Sequence, residues 1–399
     1  MDSRSRAYII KDTRRRSAVD RVRHVTVLGS GVMGHGIAQI AAMSGYEVAL
    51  RDIKREFLDR AMDKIRWSLD KMASKKKITV AEASDILSRI RPVVDISEAL
   101  AGADLVIEVV PENMDLKRTV YAELDRVSAP GTIFASNTST LPITEIAGAT
   151  GRKDMVVGVH FFNPPQLMRL VEVIPGNETS SDVVSLMQEF VASLGKTPVL
   201  CRRDVPGFIV NRLFIPMVHE ALYSMERQGI TQEEMDSAVR FELGFPMGIF
   251  ELADFTGLDV IHKASEEMHS RDQKVLRQHP RVEQLYRAGS LGQKSGEGFY
   301  RYSDEKYERV ALSKELASRC DPLQVLANVM NNAAWLITNQ ASDQKEIERA
   351  AELGLGLKKP LFETAAKFGV GRIVAELDRL ASQHGQFYEP DVLLRTMSK

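Results

Sequence analysis

The chain has 399 residues, 44 % hydrophobic and 27 % charged, with 53 Lys and Arg against 54 Asp and Glu. That length suits two or three domains, and the balance excludes a disordered chain, a chain-wide basic footprint for nucleic acid and a polyacidic tail. Cys201 and Cys320 lie far apart, which excludes a disulfide framework and a CxxC metal or redox site, and no apolar run approaches the ~18 residues of a membrane span. Two reduced thiols and no such span lead us to expect a cytoplasmic protein with no metal, no membrane and no nucleic-acid partner.

Residues 1–23 hold eight Lys or Arg and three Asp without an apolar stretch. This reads as a flexible basic arm over 1–22 rather than a secretory signal. His24–Leu28 is a short apolar run, expected to be a buried parallel strand. It runs into Gly29-Ser30-Gly31-Val32-Met33-Gly34, after which Ile37, Ala38, Ile40, Ala41 and Ala42 recur at helical spacing. A second strand, Glu47–Asp52, ends in an acid eighteen residues after Gly34. A lone GxGxxG is weak, but strand, glycine turn, helix and acid in this order make a dinucleotide site. Gly29 permits the turn, Gly31 lets the backbone approach a pyrophosphate, and Gly34 allows close helix–strand packing. The helix N-terminus presents unpaired N–H groups to the phosphates. Asp52 accepts from the adenosine ribose and repels a 2′-phosphate, favouring NAD over NADP; Arg51, Lys54 and Arg55 weaken that preference slightly.

An amphipathic helical hairpin is expected over 54–90, carrying Lys75-Lys76-Lys77. Strands are expected at Asp104–Val110, Thr132–Ala135 and Val156–His160. Their alternation with helices gives a doubly wound α/β sheet over 23–203, with ligands outside the carboxyl ends of its strands. Glu112, Ser139 and His160 lie at or just beyond such ends. Leu170–Ile174 reads as a strand with Glu172 at its centre, and a lone buried carboxylate is costly. His160 is the nearest candidate partner along the chain. A His–Glu pair fixes the imidazole tautomer and stabilises its protonated form, which suits a general base.

From Val205 the pattern turns helical. Thr231 with Glu234 three residues on forms a capping box. An offset of 112 residues superposes a second copy: Leu243, Gly244, Phe250, Glu251, Ala253, Gly257 and Ile261 recur as Leu355, Gly356, Phe362, Glu363, Ala365, Gly369 and Ile373. We read an all-α region of two related repeats, 204–302 and a degenerate 303–399 with Leu323 where the first has Asn211.

Several segments together resemble the L-3-hydroxyacyl-CoA dehydrogenases: GSGVMGHGIAQ (29–39), VPENMDLK (110–117), SNTSTLPI (136–143), GVHFFNPPQLMRLVEVI (158–174), DVPGFIVNR (204–212), LGFPMGIFELAD (243–254) and QKSGEGFYRY (293–302). The layout is most similar to the dehydrogenase part of archaeal proteins that fuse it to an enoyl-CoA hydratase. The resemblance implies NAD-dependent oxidation of an acyl-CoA, with His160 as base, Glu172 as its orienting partner, and Ser139 and Asn211 on the substrate oxygen. It implies NAD contacts from Gly29, Gly31, Val32, Met33, Gly34, Asp52, Glu112, Lys117, Asn137 and Asn163, and CoA contacts from Ser68 and Lys75. In one-repeat members the helical domain is the dimer interface. We therefore expect a homodimer, or a pseudo-dimer within one chain, and a separate enoyl-CoA hydratase as a partner. The alternative reading is a dehydrogenase of a small free 3-hydroxy acid. Such enzymes generally use a lysine where this chain has His160.

Overall fold

The computed structural model describes residues 21–303 and 311–399, so the basic arm expected over 1–22 lies, up to residue 20, outside the described residues. The chain divides into two compact units. The first comprises the residues up to Asn137 with Ala147–Val173 and Glu178–Pro198; the second comprises Thr138–Ile146, Ile174–Asn177 and Val199–Lys399.

An eight-stranded sheet organises the first unit: β1 (His24–Leu28), β2 (Glu47–Arg51), β3 (Ile90–Val93), β4 (Leu105–Glu108), β5 (Ile133–Ser136), β6 (Val156–Phe161), β7 (Leu170–Pro175) and β8 (Thr197–Leu200). Their order is 3-2-1-4-5-6-7-8, and every pairing from β3 through to β6 is parallel. This is the doubly wound arrangement expected from the sequence, with its order reversing at β1 and β4. All residues of β4, β5 and β6 are buried, as a sheet covered on both faces requires. The helices in this stretch of chain are α1 (Val32–Met43), α2 (Arg55–Ser74), α3 (Val80–Ser88), α4 (Ile96–Leu100), α5 (Met114–Val127), α6 (Ile143–Ala147) and α7 (Ser181–Ser193), of which α6 falls, but for its last residue, in the second unit. Side chains start several of them: Thr79 and Glu82 form a capping box on α3, and Asn113 caps α5.

Two strands are absent from the sequence reading. β3 is four residues, IRPV, with Pro92 inside it. Proline lacks the ladder donor and is tolerated because β3 lies at the sheet edge. β8, four residues long, also holds a proline and lies at the opposite edge.

The second unit is helical: α8 (Val210–Gln228), α9 (Gln232–Phe241), α10 (Ile249–Thr256), α11 (Leu258–Arg271), α12 (Pro280–Arg287), α13 (Lys314–Ala317), α14 (Leu323–Thr338), α15 (Gln344–Gly354), α16 (Leu361–Phe368), α17 (Val370–His384) and α18 (Val392–Met397). The duplication is visible in the helices themselves. α15, α16 and α17 begin 112 residues after α9, α10 and α11. Gly257 and Gly369 occupy the same joint with φ of 102° and 92°. The Thr231–Glu234 capping box is present on α9. Matching carboxylates hold matching helix starts: Asp236 accepts from Phe250 N and Glu251 N at 2.8 and 3.2 Å, and Glu348 from Leu361 N and Phe362 N at 2.6 and 2.9 Å. Asp254 accepts from Phe299 N, Tyr300 N and Tyr302 Oη, fastening the GEGFY segment to the first repeat. Ala366 stands at the matching place in the second repeat, which therefore lacks that anchor.

The second repeat covers the first. α14 packs along α8. The Arg212 guanidinium lies 3.7 Å from the Trp335 ring centroid, Arg227 Nε donates to Gln324 Oε1 at 2.9 Å, and Tyr388 Oη donates to Glu220 at 2.6 Å.

Asp236 supplies a stability test. Burial pushes its carboxyl up to about 7, against the opposing hydrogen bonds from Phe250 and Tyr300. The folded state thus holds a proton between about pH 4 and 7 that the unfolded state releases, so this group's contribution to stability falls as pH rises through that window. Asp236→Asn removes the titration. We expect the difference in thermal midpoint between the variant and the parent to change by several degrees between pH 4.5 and 7.5, in favour of the variant at higher pH. Thermal unfolding by circular dichroism across that range measures it, and a pH-independent difference refutes the assignment.

Candidate active site

The first feature is the glycine turn after β1. Gly29 has a φ of +100°, where other residues are strained, and its N–H donates to Arg51 O at 2.8 Å. A side chain at Gly34 would drive into the Gly29 carbonyl, which is why α1 can pass so close to the turn. Gly31, by contrast, faces open space, with nothing within 4 Å of where its Cβ would be. No side chain caps α1 at Gly31, and Val32 is exposed. A backbone cradle open above Gly31, with uncapped N–H groups of the first turn, fits a pyrophosphate. Asp52 holds the turn: its Oδ2 accepts from both Ser30 N and Ser30 Oγ at 2.7 Å, and its Oδ1 from Ile53 N at 2.7 Å.

The second feature joins β6 and β7. His160 Nδ1 lies 2.8 Å from Glu172 Oε2, with the histidine side chain 8 % exposed and the glutamate fully buried. The expected pair is therefore formed between neighbouring strands. Phe162 packs its ring 4.4 Å from the imidazole centroid. Asn137, expected at the cofactor, spends its Oδ1 on Phe161 N at 2.8 Å and so fixes the backbone next to His160. Asn163 lies in the following loop, whose Pro165 presses on Gly36 of α1. That loop is tied twice more. Gln166 donates to Gln39, which donates to Ser68 Oγ at 3.0 Å, and Lys196 Nζ donates to the carbonyls of Pro165 and Met168 at 2.6 and 2.8 Å. Burial pushes the Lys196 ammonium down to about 8.

The third feature was read only in part: Glu112 and Lys117 were expected at the cofactor, and Glu108 was not singled out. Lys117 is buried, and its Nζ lies 2.6 Å from Glu108 Oε1 and 3.4 Å from Glu112. Glu108 also accepts from Val110 N at 2.8 Å and Ser136 Oγ at 2.7 Å. An acid ending an apolar strand was the available signal. Lys117 thus tethers Glu112, which retains 30 % side-chain exposure. Lys75 ends α2 at an exposed hairpin tip.

Within the second unit, Asn211 Nδ2 donates to Ser139 O at 3.1 Å. Asp204 accepts from Thr144 N at 2.7 Å. The DVPGFIVNR and SNTSTLPI segments, far apart in sequence, are thereby bound to one another. Asp204 was quoted in a motif but given no task in the sequence reading.

A dinucleotide cradle on a doubly wound sheet, with a paired histidine at a strand end, defines the class as an NAD-binding dehydrogenase fold. The comparisons with known proteins narrow it. Residues 24–205 match the 3-hydroxyacyl-CoA dehydrogenase NAD binding domain, and residues 207–302 match the C-terminal domain of the same family. The chain belongs to the 3-hydroxyacyl-CoA dehydrogenase family. It is 42 % identical over 288 residues to the mitochondrial hydroxyacyl-coenzyme A dehydrogenase of Rattus norvegicus, covering 70 % of this chain and 91 % of that one. It is 42 % identical over 278 residues to a probable 3-hydroxybutyryl-CoA dehydrogenase of Deinococcus radiodurans, covering 69 % and 99 %. The crystal structure of 3-hydroxybutyryl-CoA dehydrogenase from Escherichia coli superposes with a TM-score of 0.84 at 30 % identity, covering 94 % of this chain and 98 % of that one. That match takes in the second helical repeat.

Proposed function

We propose that the chain catalyses the reversible oxidation of an (S)-3-hydroxyacyl-CoA to the 3-ketoacyl-CoA, with His160 as the base. The observation that carries this is the buried 2.8 Å contact between His160 Nδ1 and Glu172. A carboxylate there accepts a hydrogen bond from Nδ1–H, so the proton stays on Nδ1 and the lone pair sits on Nε2. Nε2 accepts the C3 hydroxyl proton, and Glu172 stabilises the imidazolium that results. Ser139 and Asn211 are read as the groups that hold the C3 oxygen in its alcohol and ketone forms. NAD, when bound, supplies the hydride acceptor. Gly31, Val32 and Met33 offer their N–H groups to its pyrophosphate, and Asp52 faces its ribose. Glu112, held by Lys117, and Asn163 are assigned to the nicotinamide half. Ser68 and Lys75 are assigned to CoA.

We read the second repeat, which lies against α8, as occupying the place of a partner's helical domain, a pseudo-dimer within one chain. Dimerisation through another face and delivery of substrate by a separate enoyl-CoA hydratase, in a cytoplasmic β-oxidation or 3-hydroxybutyryl-CoA route, complete the reading. Among the described residues no helix is long and apolar enough to cross a membrane.

The test is turnover of acetoacetyl-CoA against free acetoacetate with NADH. We expect activity on the thioester only; equal turnover of the free acid refutes the CoA assignment. His160→Ala is expected to lower kcat by about 10²–10⁴ while NADH binding persists.

A further inference from the structure

The sequence places Arg51, Lys54 and Arg55 beside the ribose-binding acid, and the structure disposes of all three. Arg51 donates to Val94 O at 3.1 Å, Arg55 pairs with Asp59 at 2.9 Å, and Lys54, which lies over the Phe57 ring, does not line the cavity beside Asp52. Two other cations take their place. A cavity of about 200 Å³ at the glycine turn is lined by Ser30, Gly31, Asp52, Phe57, Arg60 and Lys64. Arg60 and Lys64 stand one turn apart on α2, both exposed, and neither forms an ion pair with a carboxylate among the described residues. Arg60 makes one backbone contact, Nε to Glu56 O at 3.3 Å, and rests over Phe57 with its centre 5.3 Å from the ring centroid. Lys64 also faces α1: burial, and after it the charge of Lys64, hold His35 below the usual imidazole range although Gly31 O opposes them.

Asp52 is the group that ordinarily excludes a phosphorylated ribose. A carboxylate has about four lone-pair positions. Three of those of Asp52 already serve Ser30 N, Ser30 Oγ and Ile53 N. It can therefore accept one ribose hydroxyl, not grip two, and its charge is partly satisfied by its own turn. We propose that Arg60 and Lys64 make this end of the cavity a ribose-phosphate subsite, so that the chain also binds and uses the 2′-phosphorylated dinucleotide. The proposal rests on the dinucleotide assignment of the Gly29–Gly34 turn.

The experiment titrates NADH and NADPH fluorescence on the full chain and measures kcat/KM for each with acetoacetyl-CoA. The parent is expected to bind NADPH within about a hundredfold of NADH, since each charge-assisted hydrogen bond to the phosphate contributes about tenfold or more. Removing both cations in R60A/K64A is expected to weaken NADPH at least about tenfold more than NADH. The control K54A/R55A, whose side chains do not line the cavity, is expected to leave the NADH-to-NADPH ratio within about twofold, as its charges are exposed and screened. Thermal unfolding checks that both variants fold. A parent that does not bind NADPH at millimolar concentration, or a double variant that weakens both nucleotides equally, overturns the proposal. It is also overturned if R60A/K64A spares NADPH and instead raises KM for acetoacetyl-CoA but not for its 3′-dephospho analogue, because the phosphate held is then the substrate's. A chain that binds both nucleotides yet turns over no thioester leaves the subsite standing and refutes the proposed reaction instead.

Discussion

Glu172→Gln is expected to lower kcat for acetoacetyl-CoA reduction by at least about tenfold, toward the ~10²–10⁴ that a positioned base contributes. The substitution keeps the size of the side chain and removes its charge. Glu172 reaches Nδ1 of His160 at 2.8 Å from the centre of a strand buried at every residue but its last. A carboxylate there admits one tautomer only, with the proton on Nδ1. An amide can present its N–H₂ instead, which selects the other tautomer and puts the proton on Nε2, the nitrogen needed as base. It also withdraws the negative charge that stabilises the imidazolium. Affinity for NADH, whose cradle is built from the turn after β1, is expected to change less than about threefold, a shift of well under 1 kcal/mol. Steady-state kinetics with an NADH titration separates the two effects. Retention of kcat within twofold means that the pair is structural, and the proposed mechanism fails.

Lys117→Met is expected to destabilise the chain by about 3–5 kcal/mol, the cost of stranding one member of a buried ion pair. Lys117 is 1 % exposed and Glu108 fully buried, with 2.6 Å between them. Methionine fills much of the space but leaves the Glu108 carboxylate, among the described residues, with the Val110 N–H and the Ser136 hydroxyl as its donors. Lys117→Met with Glu108→Gln, which removes the stranded charge, is expected to recover more than half of the loss. Denaturant unfolding of the three variants measures this. A loss below 1 kcal/mol in the single variant shows that the site tolerates an unpaired acid. The single variant also frees Glu112 from its 3.4 Å contact with the ammonium, so weaker NADH binding is expected alongside the lost stability.

How much of this was legible in the residues differs from feature to feature. The GSGVMG turn, the His160–Glu172 pairing and the 112-residue repeat were readable because each is a local pattern with one economical physical explanation. A glycine turn between strand and helix, an acid in an apolar strand, and identities at a constant offset each point one way. β3 and β8 were not readable, because four residues including a proline carry no periodicity. Glu108 was read only as one residue within a strand over Asp104–Val110, since nothing in its neighbourhood says that a lysine nine residues on folds back to it. Asp204 and Gln39 escaped for the same reason: their partners, Thr144 and Gln166, lie 60 and 127 residues away.

The sequence by itself determined the order of elements, the nucleotide turn and the residue types available for proton transfer, because these depend on backbone geometry and burial periodicity within short windows. Only the tertiary structure decided which charges are spent and which remain available. Arg51, Lys54 and Arg55 stand beside Asp52 in the chain, yet none of them lines its cavity, while Arg60 and Lys64 reach it because helical periodicity turns residues four apart to one face. Electrostatic pairing is a matter of distance in space, and proximity along a chain is a poor guide to it once helices and strands have set the directions of the side chains.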